Sequence, residues 1–196
     1  MSVNLEKGQN VDLTKEHASL KAISVGLGWD KAARKIPLFS KRRDIDCDEA
    51  AVLIGTESGK LDNPADVVYF GQLVHSSGAV RHSGDNTTGK GDGDDERIIV
   101  ELSKVPAEYS RIVFVVTIFE AAEHKLHFGM VQNAFIRIVD ADTGSEVCKY
   151  NLNEKYDGKT AVIFGEVYRE NNEWKFKAIG EPTDDNGIGE IAARFQ

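Results

Sequence analysis

The sequence contains few cysteines and no long apolar run, and both features limit what the protein can be. Its 196 residues include two cysteines, Cys47 and Cys148, whose spacing matches no zinc motif. We expect them to be free thiols with a buried structural role, as in proteins of a reducing compartment. No segment approaches the roughly 18 apolar residues of a membrane helix, and residues 1–7 lack an apolar signal region. These features predict a cytoplasmic location.

Positive charge is also scarce. The chain has 24 lysines and arginines against 32 aspartates and glutamates, which gives a formal net charge of −8. Because phosphate backbones are bound by basic surfaces, nucleic acid is not an expected partner. Hydrophobic residues make up 41% and charged residues 29% of the chain, which is typical of a folded globular protein. We find no linker and no internal repeat, so we expect one domain over residues 1–196.

Short alternating segments separated by turns predict strands. Residues 20–30 place Ile23, Val25, Leu27 and Trp29 on one face, as in a half-buried strand. Residues 112–119 are apolar on both faces, which favours a central strand. Two further segments flank Asn171-Asn172, which is typical of a hairpin turn. With short helices expected near residues 120–125 and 187–195, the pattern predicts a mainly all-β protein, an antiparallel β-sandwich of two sheets.

Residues 84–96, GDNTTGKGDGDDE, form the most distinctive segment of the chain. Its carboxylates repel one another, and Lys90 is its one basic residue. Hard cations such as Ca²⁺ take about 6–8 oxygen ligands from carboxylates, amide oxygens and backbone carbonyls. The alternating glycines allow carbonyls to turn inward. We therefore interpret the segment as a divalent-cation loop, with oxygen donors at Asp85, Asn86, Asp92, Asp94, Asp95 and Glu96.

Three other interpretations of this loop can be considered. A solvated acidic loop is the simplest, since acidic runs commonly face water. An EF-hand would place Asp85 and Glu96 at positions 1 and 12, but Lys90 occupies the sixth position, where that loop needs glycine, and no amphipathic helix flanks it. A phosphate loop would require a Gly-Lys-Ser/Thr ending and a less negative charge.

A second acidic segment precedes the apolar residues 50–54. In an extended chain Asp44, Asp46 and Asp48 would share one face, because side chains alternate along a strand. Three acids on one face are unfavourable unless something offsets their charge. The segment is either a second source of metal ligands or a strand start whose polar face lies in water.

The sequence leaves room for two other functions. A metal-dependent hydrolase could use His75 and His82, which lie near the acidic loop, or the loose pair His124 and His127. However, no Gly-x-Ser-x-Gly motif is present, and neither cysteine lies in a nucleophile signature. A calcium-dependent membrane-surface module could use the basic segment Lys31–Arg43 to contact anionic lipid, although such a segment is more commonly a solvated loop.

Several segments together resemble the TerD family of tellurite-resistance and general stress proteins. They are residues 25–30 (VGLGWD), 44–46 (DID), 84–89, 91–96, 136–138, 165–169 and 174–176. The resemblance implies a calcium-binding β-sandwich without catalytic activity. It also implies that the protein acts together with other Ter-type stress proteins and with a membrane-bound partner complex. Such a complex would bring the protein to the membrane surface as a peripheral protein. Direct chemistry on tellurite would need reactive thiols, which two cysteines far apart in the sequence do not favour.

The resemblance also implies a ligand set, matched position by position to the family's motifs. We expect two Ca²⁺ ions to share these ligands, although the sequence does not divide the ligands between them. The implied ligands are Asp30, Asp44, Asp46, Asp85, Asn86, Asp92, Asp94, Asp95 and Glu96.

Overall fold

The computed structural model describes residues 2–15, 19–30, 45–84, 94–152 and 156–196. Within these ranges the strands are β1 (Val3–Leu5), β2 (Asn10–Asp12), β3 (Ala22–Asp30), β4 (Cys47–Gly55), β5 (Val67–Val68), β6 (Val80–His82), β7 (Glu96–Glu101), β8 (Tyr109–Ile118), β9 (Gln132–Asp140), β10 (Glu146–Asn151), β11 (Ala161–Glu170) and β12 (Glu173–Thr183). The helices are α1 (Ala121–His124) and α2 (Ile188–Ala193), with 3₁₀ turns at Pro64–Asp66, Leu102–Lys104 and Phe128–Met130.

The strands form two six-stranded sheets that pack face to face. One sheet has the order β1-β10-β9-β3-β7-β6, and the other has the order β2-β12-β11-β8-β4-β5. The predicted antiparallel sandwich is therefore confirmed, with one pair, β1 and β10, running parallel. None of the helices in the described ranges has the length and apolar character needed to cross a membrane.

The core explains why β8 is apolar on both faces. Ile112, Phe114 and Val116 face the opposite sheet and are fully buried in the main core. Val113 and Val115 face outward, where Ile191 of α2 covers them in a second cluster. Because β8 lies between β11 and β4 and is packed on both sides, its continuous apolar run is the pattern of a central strand.

The hairpin that joins β11 and β12 also follows its sequence pattern. Asn171 and Asn172 both adopt left-handed backbone conformations, with φ of 53° and 64°, as a two-residue turn between twisted strands requires. Trp174 and Phe176 then alternate into the core, as predicted.

Candidate metal centre

The ends of β4 and β7 bring two acidic side chains into the space between the sheets. Side chains alternate along β4, so Glu49 shares the inward face with Cys47 and Ala51, which lie in the main core. Glu96 begins β7 on the same inward face as Ile98. Both acids are buried, with exposed fractions of 0% and 1%. The Glu49 backbone N–H donates to Glu96 Oε2 over 2.7 Å, so the two sheets are joined at this point.

Glu49 is the unusual member of this pair. Its Oε1 and Oε2 atoms are buried, and neither has a hydrogen-bond partner among the residues that the structure describes. Burial raises the pKa of this carboxyl well above its usual range, and the charges of Glu96 and Asp94 raise it further. A buried carboxyl without partners is costly. A bound cation would favour the ionised form of Glu49 and would supply a partner for its two oxygen atoms.

His82 anchors the entrance of the acidic loop beside the same carboxylate. Its Nε2 lies 3.4 Å from Glu96 Oε2. Its Nδ1 accepts a hydrogen bond from the Gly84 backbone N–H over 3.1 Å, so a ring proton belongs on Nε2. Nε2 is buried and makes no hydrogen bond to any described residue. Gly84, the first residue of the loop, has φ of 110°, a conformation that favours glycine.

Asp95 connects the exit of the loop to the end of β3. Its Oδ2 accepts from the Trp29 backbone N–H over 3.1 Å, and its own N–H donates to the Leu27 carbonyl over 2.8 Å. The Trp29 indole N–H in turn donates to the Ile45 carbonyl over 3.2 Å. Because Asp30 follows Trp29 directly and Asp44 precedes Ile45, three predicted ligand-bearing segments meet at this end of the sandwich.

Asp94 lies on the outer face of the sheet that contains β3. It packs directly over Gly26, where a Cβ atom would collide with the Asp94 carboxylate. Its Oδ1 accepts a 2.6 Å hydrogen bond from Arg137 Nε, which raises the pKa of Arg137. Arg137 also contacts Glu146 over 3.3 Å. One of the two Asp94 carboxylate oxygens thus already contacts the Arg137 guanidinium.

The structure describes the other predicted ligands only in part. Asp46 is half-buried, and its backbone carbonyl accepts from the Phe119 N–H over 2.9 Å. The backbone of Asp30 pairs with Gln132 in the β3–β9 ladder, while its side chain lies outside the described structure. Asp44, Asp85, Asn86 and Asp92 lie outside the described residues, as does the basic segment Lys31–Arg43. The ligand set therefore stays a prediction.

Sequence reasoning missed Glu49 as a candidate. Its signal lies in the register of β4, where Cys47, Ala51 and Leu53 alternate as inward apolar residues and Glu49 occupies a position between them. An acid at an inward position of an otherwise apolar strand face indicates a functional or paired group. The sequence alone does not show which residue of the opposite sheet lies across from it.

The four histidines in the described ranges do not gather at one site. His75 contacts Asp66 through Nε2 over 3.2 Å and Ser77 through Nδ1 over 2.7 Å, so both its ring nitrogens have partners away from the acidic loop. His82 faces Glu96 instead. His124 Nε2 contacts Glu120 Oε2 over 2.9 Å. In His127, the other member of the loose pair predicted from the sequence, the buried Nδ1 has no hydrogen-bond partner among the described residues. The histidines near the loop therefore do not form a shared catalytic cluster.

Both cysteines are free and buried, in different sheets. Burial raises the pKa of the Cys148 thiol to about 12. Burial also raises the pKa of Cys47, and the nearby carboxylates raise it further; in order of effect they are Asp48, Asp46, Glu96 and Asp95. The carboxylates at and just before the starts of β4 and β7 therefore lie close enough to Cys47 to affect its ionisation.

This environment predicts that neither thiol reacts in the folded protein. Thiolate is the reactive form, and a pKa near 12 instead of 9.0 lowers its share at neutral pH by roughly a thousandfold. We expect a thiol reagent such as DTNB to modify neither cysteine in buffer and both in denaturant. Rapid labelling of the folded protein would contradict the buried positions of Cys47 and Cys148.

Comparison with known proteins agrees with this architecture. The TerD domain model matches residues 1–195. The chain is 45% identical over 200 residues to the stress response protein SCP2 of Bacillus subtilis, with full coverage of both chains. It is 43% identical over 195 residues to the tellurium resistance protein TerD of Serratia marcescens, covering 100% of this chain and 97% of that protein.

Two solved structures share the fold at lower identity. One is the protein of unknown function SAV2460, with a TM-score of 0.69 and 24% identity over 88% of this chain and 95% of that chain. The other is a homologue of the telluride resistance protein from Streptomyces coelicolor, with a TM-score of 0.64 and 22% identity over 85% and 92% of the two chains. Together with the match over residues 1–195, the close relatives show that this chain belongs to the TerD family of tellurium-resistance and general stress proteins.

Proposed function

We propose that this protein is a calcium-binding stress-response module that acts by binding and not by catalysis. The observation that carries the proposal is Glu49, a fully buried carboxyl beside Glu96 whose two oxygens have no hydrogen-bond partner in the part of the chain that the structure describes. A bound dication would supply the missing partner for these oxygens and offset the repulsion between the two acids. The buried side chains of Glu49 and Glu96 offer only oxygen atoms as ligands, which is the ligand type that calcium takes.

The proposed site combines described residues with the loop. Glu49 and Glu96 would supply ligands between the sheets, and Asp95 and Asp46 lie at the neighbouring strand ends. The loop ligands Asp85, Asn86, Asp92 and Asp94, with Asp30 and Asp44, complete the set that the sequence predicts, to which the proposed site adds Glu49. When bound, Ca²⁺ would supply charge and cross-links between segments. The protein's own part is to hold these oxygens together through the contacts of Trp29 and His82.

We infer from this arrangement that calcium has a structural and a switching role. The loop leaves β6 after His82 and returns at Glu96, and the Trp29–Ile45 hydrogen bond joins a third segment to it. An ion bound by all three segments would fix their relative positions. Partners among Ter-type stress proteins or at a membrane would then meet a surface that depends on calcium.

Metal-assisted hydrolysis is the weaker alternative. General base catalysis needs a titratable group within hydrogen-bond reach of the reacting atom. His82 is buried with 6% exposure, and its Nδ1 already accepts from Gly84, so it is poorly placed to serve as that base. The relatives carry names of resistance and stress response without a catalytic activity.

Thermal unfolding with calcium and with chelator tests the proposal. A ligand that binds only the folded state adds about 2.7 kcal/mol of stability at a hundredfold excess over its Kd. For a chain of this length we expect the midpoint to rise by about 5–10 °C in calcium, and by less in magnesium, which tolerates fewer ligand geometries. Equal midpoints in calcium and chelator would contradict the proposal.

A further inference from the structure

A second cluster of metal-binding side chains lies at helix α1, outside the ligand set described above. One carboxylate oxygen from each of Glu120 and Glu123 and one ring nitrogen of His124 lie within 4.8 Å of one another. His124 Nε2 is 2.9 Å from Glu120 Oε2 and 3.7 Å from Glu123 Oε1. Two carboxylates therefore converge on one nitrogen atom, which carries at most one hydrogen.

The backbone fixes this arrangement. Helix α1 is a single turn, and its flanking residues Glu120 and Lys125 both adopt left-handed conformations, with φ of 50° and 53°. The Lys125 N–H caps the Ala121 and Ala122 carbonyls, and the Leu126 N–H donates to the Ala121 carbonyl over 2.9 Å. Ala121 is buried in the core. The three side chains are thus presented from a turn that is held by backbone hydrogen bonds at its C-terminal end and by the buried Ala121 at its start.

The distances match those around a small transition-metal ion. Zinc binds imidazole nitrogen and carboxylate oxygen at about 2.0–2.2 Å, so tetrahedral ligand atoms lie about 3.3 Å apart. The observed separations of 2.9 and 3.7 Å fall on either side of this value. A hydrogen bond from His124 accounts for its contact with Glu120 but not for the approach of Glu123. A dication would bind both carboxylates at once. The imidazole nitrogen favours zinc over calcium, which takes oxygen ligands.

We propose that Glu120, Glu123 and His124 form a binding site for Zn²⁺ or a similar divalent transition metal, separate from the calcium site. The two glutamates also line an open cavity of about 490 Å³, together with Asp48 and the apolar residues Phe119 and Ile188. Three protein ligands leave one zinc position open to water or another small ligand. The cavity gives such a ligand access to the ion.

Zinc titration of the calcium-saturated full-length protein tests this site. We expect one Zn²⁺ to bind to the wild type in calorimetry. Loss of a partner that only orients a zinc ligand costs about 10–100-fold in affinity, so His124→Ala and Glu123→Gln should each weaken binding by at least tenfold. The Glu123 side chain is 70% exposed, so its substitution should leave the fold intact. His127→Ala is the matched control and should keep wild-type affinity.

Two results would contradict the proposed zinc site. One is the absence of zinc binding to the wild type at millimolar zinc. The other is a zinc affinity that does not change in His124→Ala and Glu123→Gln, which would place the ion elsewhere. Thermal midpoints in calcium should be the same for the wild type and Glu123→Gln, so failure of the zinc site is distinguishable from failure of the calcium site.

Discussion

Glu49→Gln is expected to weaken calcium binding by roughly tenfold or more while leaving the metal-free protein folded. Calcium affinity depends strongly on the number of charged ligands, and the substitution replaces a carboxylate with a neutral amide of the same shape. Glu49 has no hydrogen-bond partner for either oxygen among the described residues, so the amide breaks no side-chain hydrogen bond to any of them. Calorimetric titration with Ca²⁺ gives the affinity directly.

Glu166→Gln is the matched control for this variant. Glu166 is also a buried glutamate of the sandwich, but it lies in β11 and pairs with Arg111 over 3.2 Å. Its substitution should cost some stability and leave the calcium affinity unchanged. Equal calcium affinity in Glu49→Gln and the wild type would show that Glu49 is not a ligand.

Glu49→Gln should also alter the pH dependence of stability in chelator. Burial, followed by Glu96 and Asp94, raises the pKa of Glu49 in the folded state above its ordinary value of 4.5. The folded protein therefore binds the Glu49 proton more tightly than the unfolded chain does. The stabilisation that protonated Glu49 gives is fully present below about pH 4.5 and is lost as the pH rises through the folded pKa. Urea unfolding should show a smaller loss of stability with rising pH in Glu49→Gln than in the wild type.

Asp94→Asn is expected to have the second large effect, on both stability and calcium binding. The Asp94 side chain is 7% exposed and accepts a 2.6 Å bond from Arg137, which is 29% exposed. Hydrogen bonds to charged groups contribute about 1.5–3 kcal/mol. Because the Asn amide oxygen can still accept from Arg137, we expect the free energy of unfolding in chelator to fall by up to that amount. Because Asp94 also belongs to the predicted ligand set, the calcium affinity should fall as well.

Glu146→Gln separates these two effects. It removes the other acidic partner of Arg137, at 3.3 Å, from a residue outside the ligand set. We expect a smaller loss of stability in urea unfolding and no change in calcium affinity. If Asp94→Asn unfolds with the wild-type free energy, the ion pair with Arg137 does not stabilise the fold.

Sequence patterns predicted the long strands well because their signals are local. The continuous apolar run of β8, the alternation of β3 and the Asn171-Asn172 turn each depend on neighbouring residues alone. The three-residue strands β1, β2 and β6 were not predicted, because strands of this length contain too few residues to show a period. The parallel pairing of β1 with β10 joins residues more than 140 positions apart and leaves no local signal.

The same distinction applies to the candidate metal centre. The acidic loop was recognisable from composition, whereas the importance of Glu49 depends on Glu96, which lies 47 residues further along the chain. Trp29 was predicted only as a buried strand residue. Its hydrogen bond to Ile45 and its contact with Asp95 arise from how the segments meet at one end of the sandwich. Contacts of this kind are decided by the three-dimensional fold.

Diffraction from crystals grown in millimolar calcium tests the central claim most directly. Calcium scatters anomalously, and it binds oxygen ligands at about 2.3–2.6 Å. We predict an anomalous peak at that distance from a carboxylate oxygen of Glu49 or Glu96, with further ligands from the 85–93 loop. Density that contains only water around these two carboxylates at millimolar calcium would contradict the account.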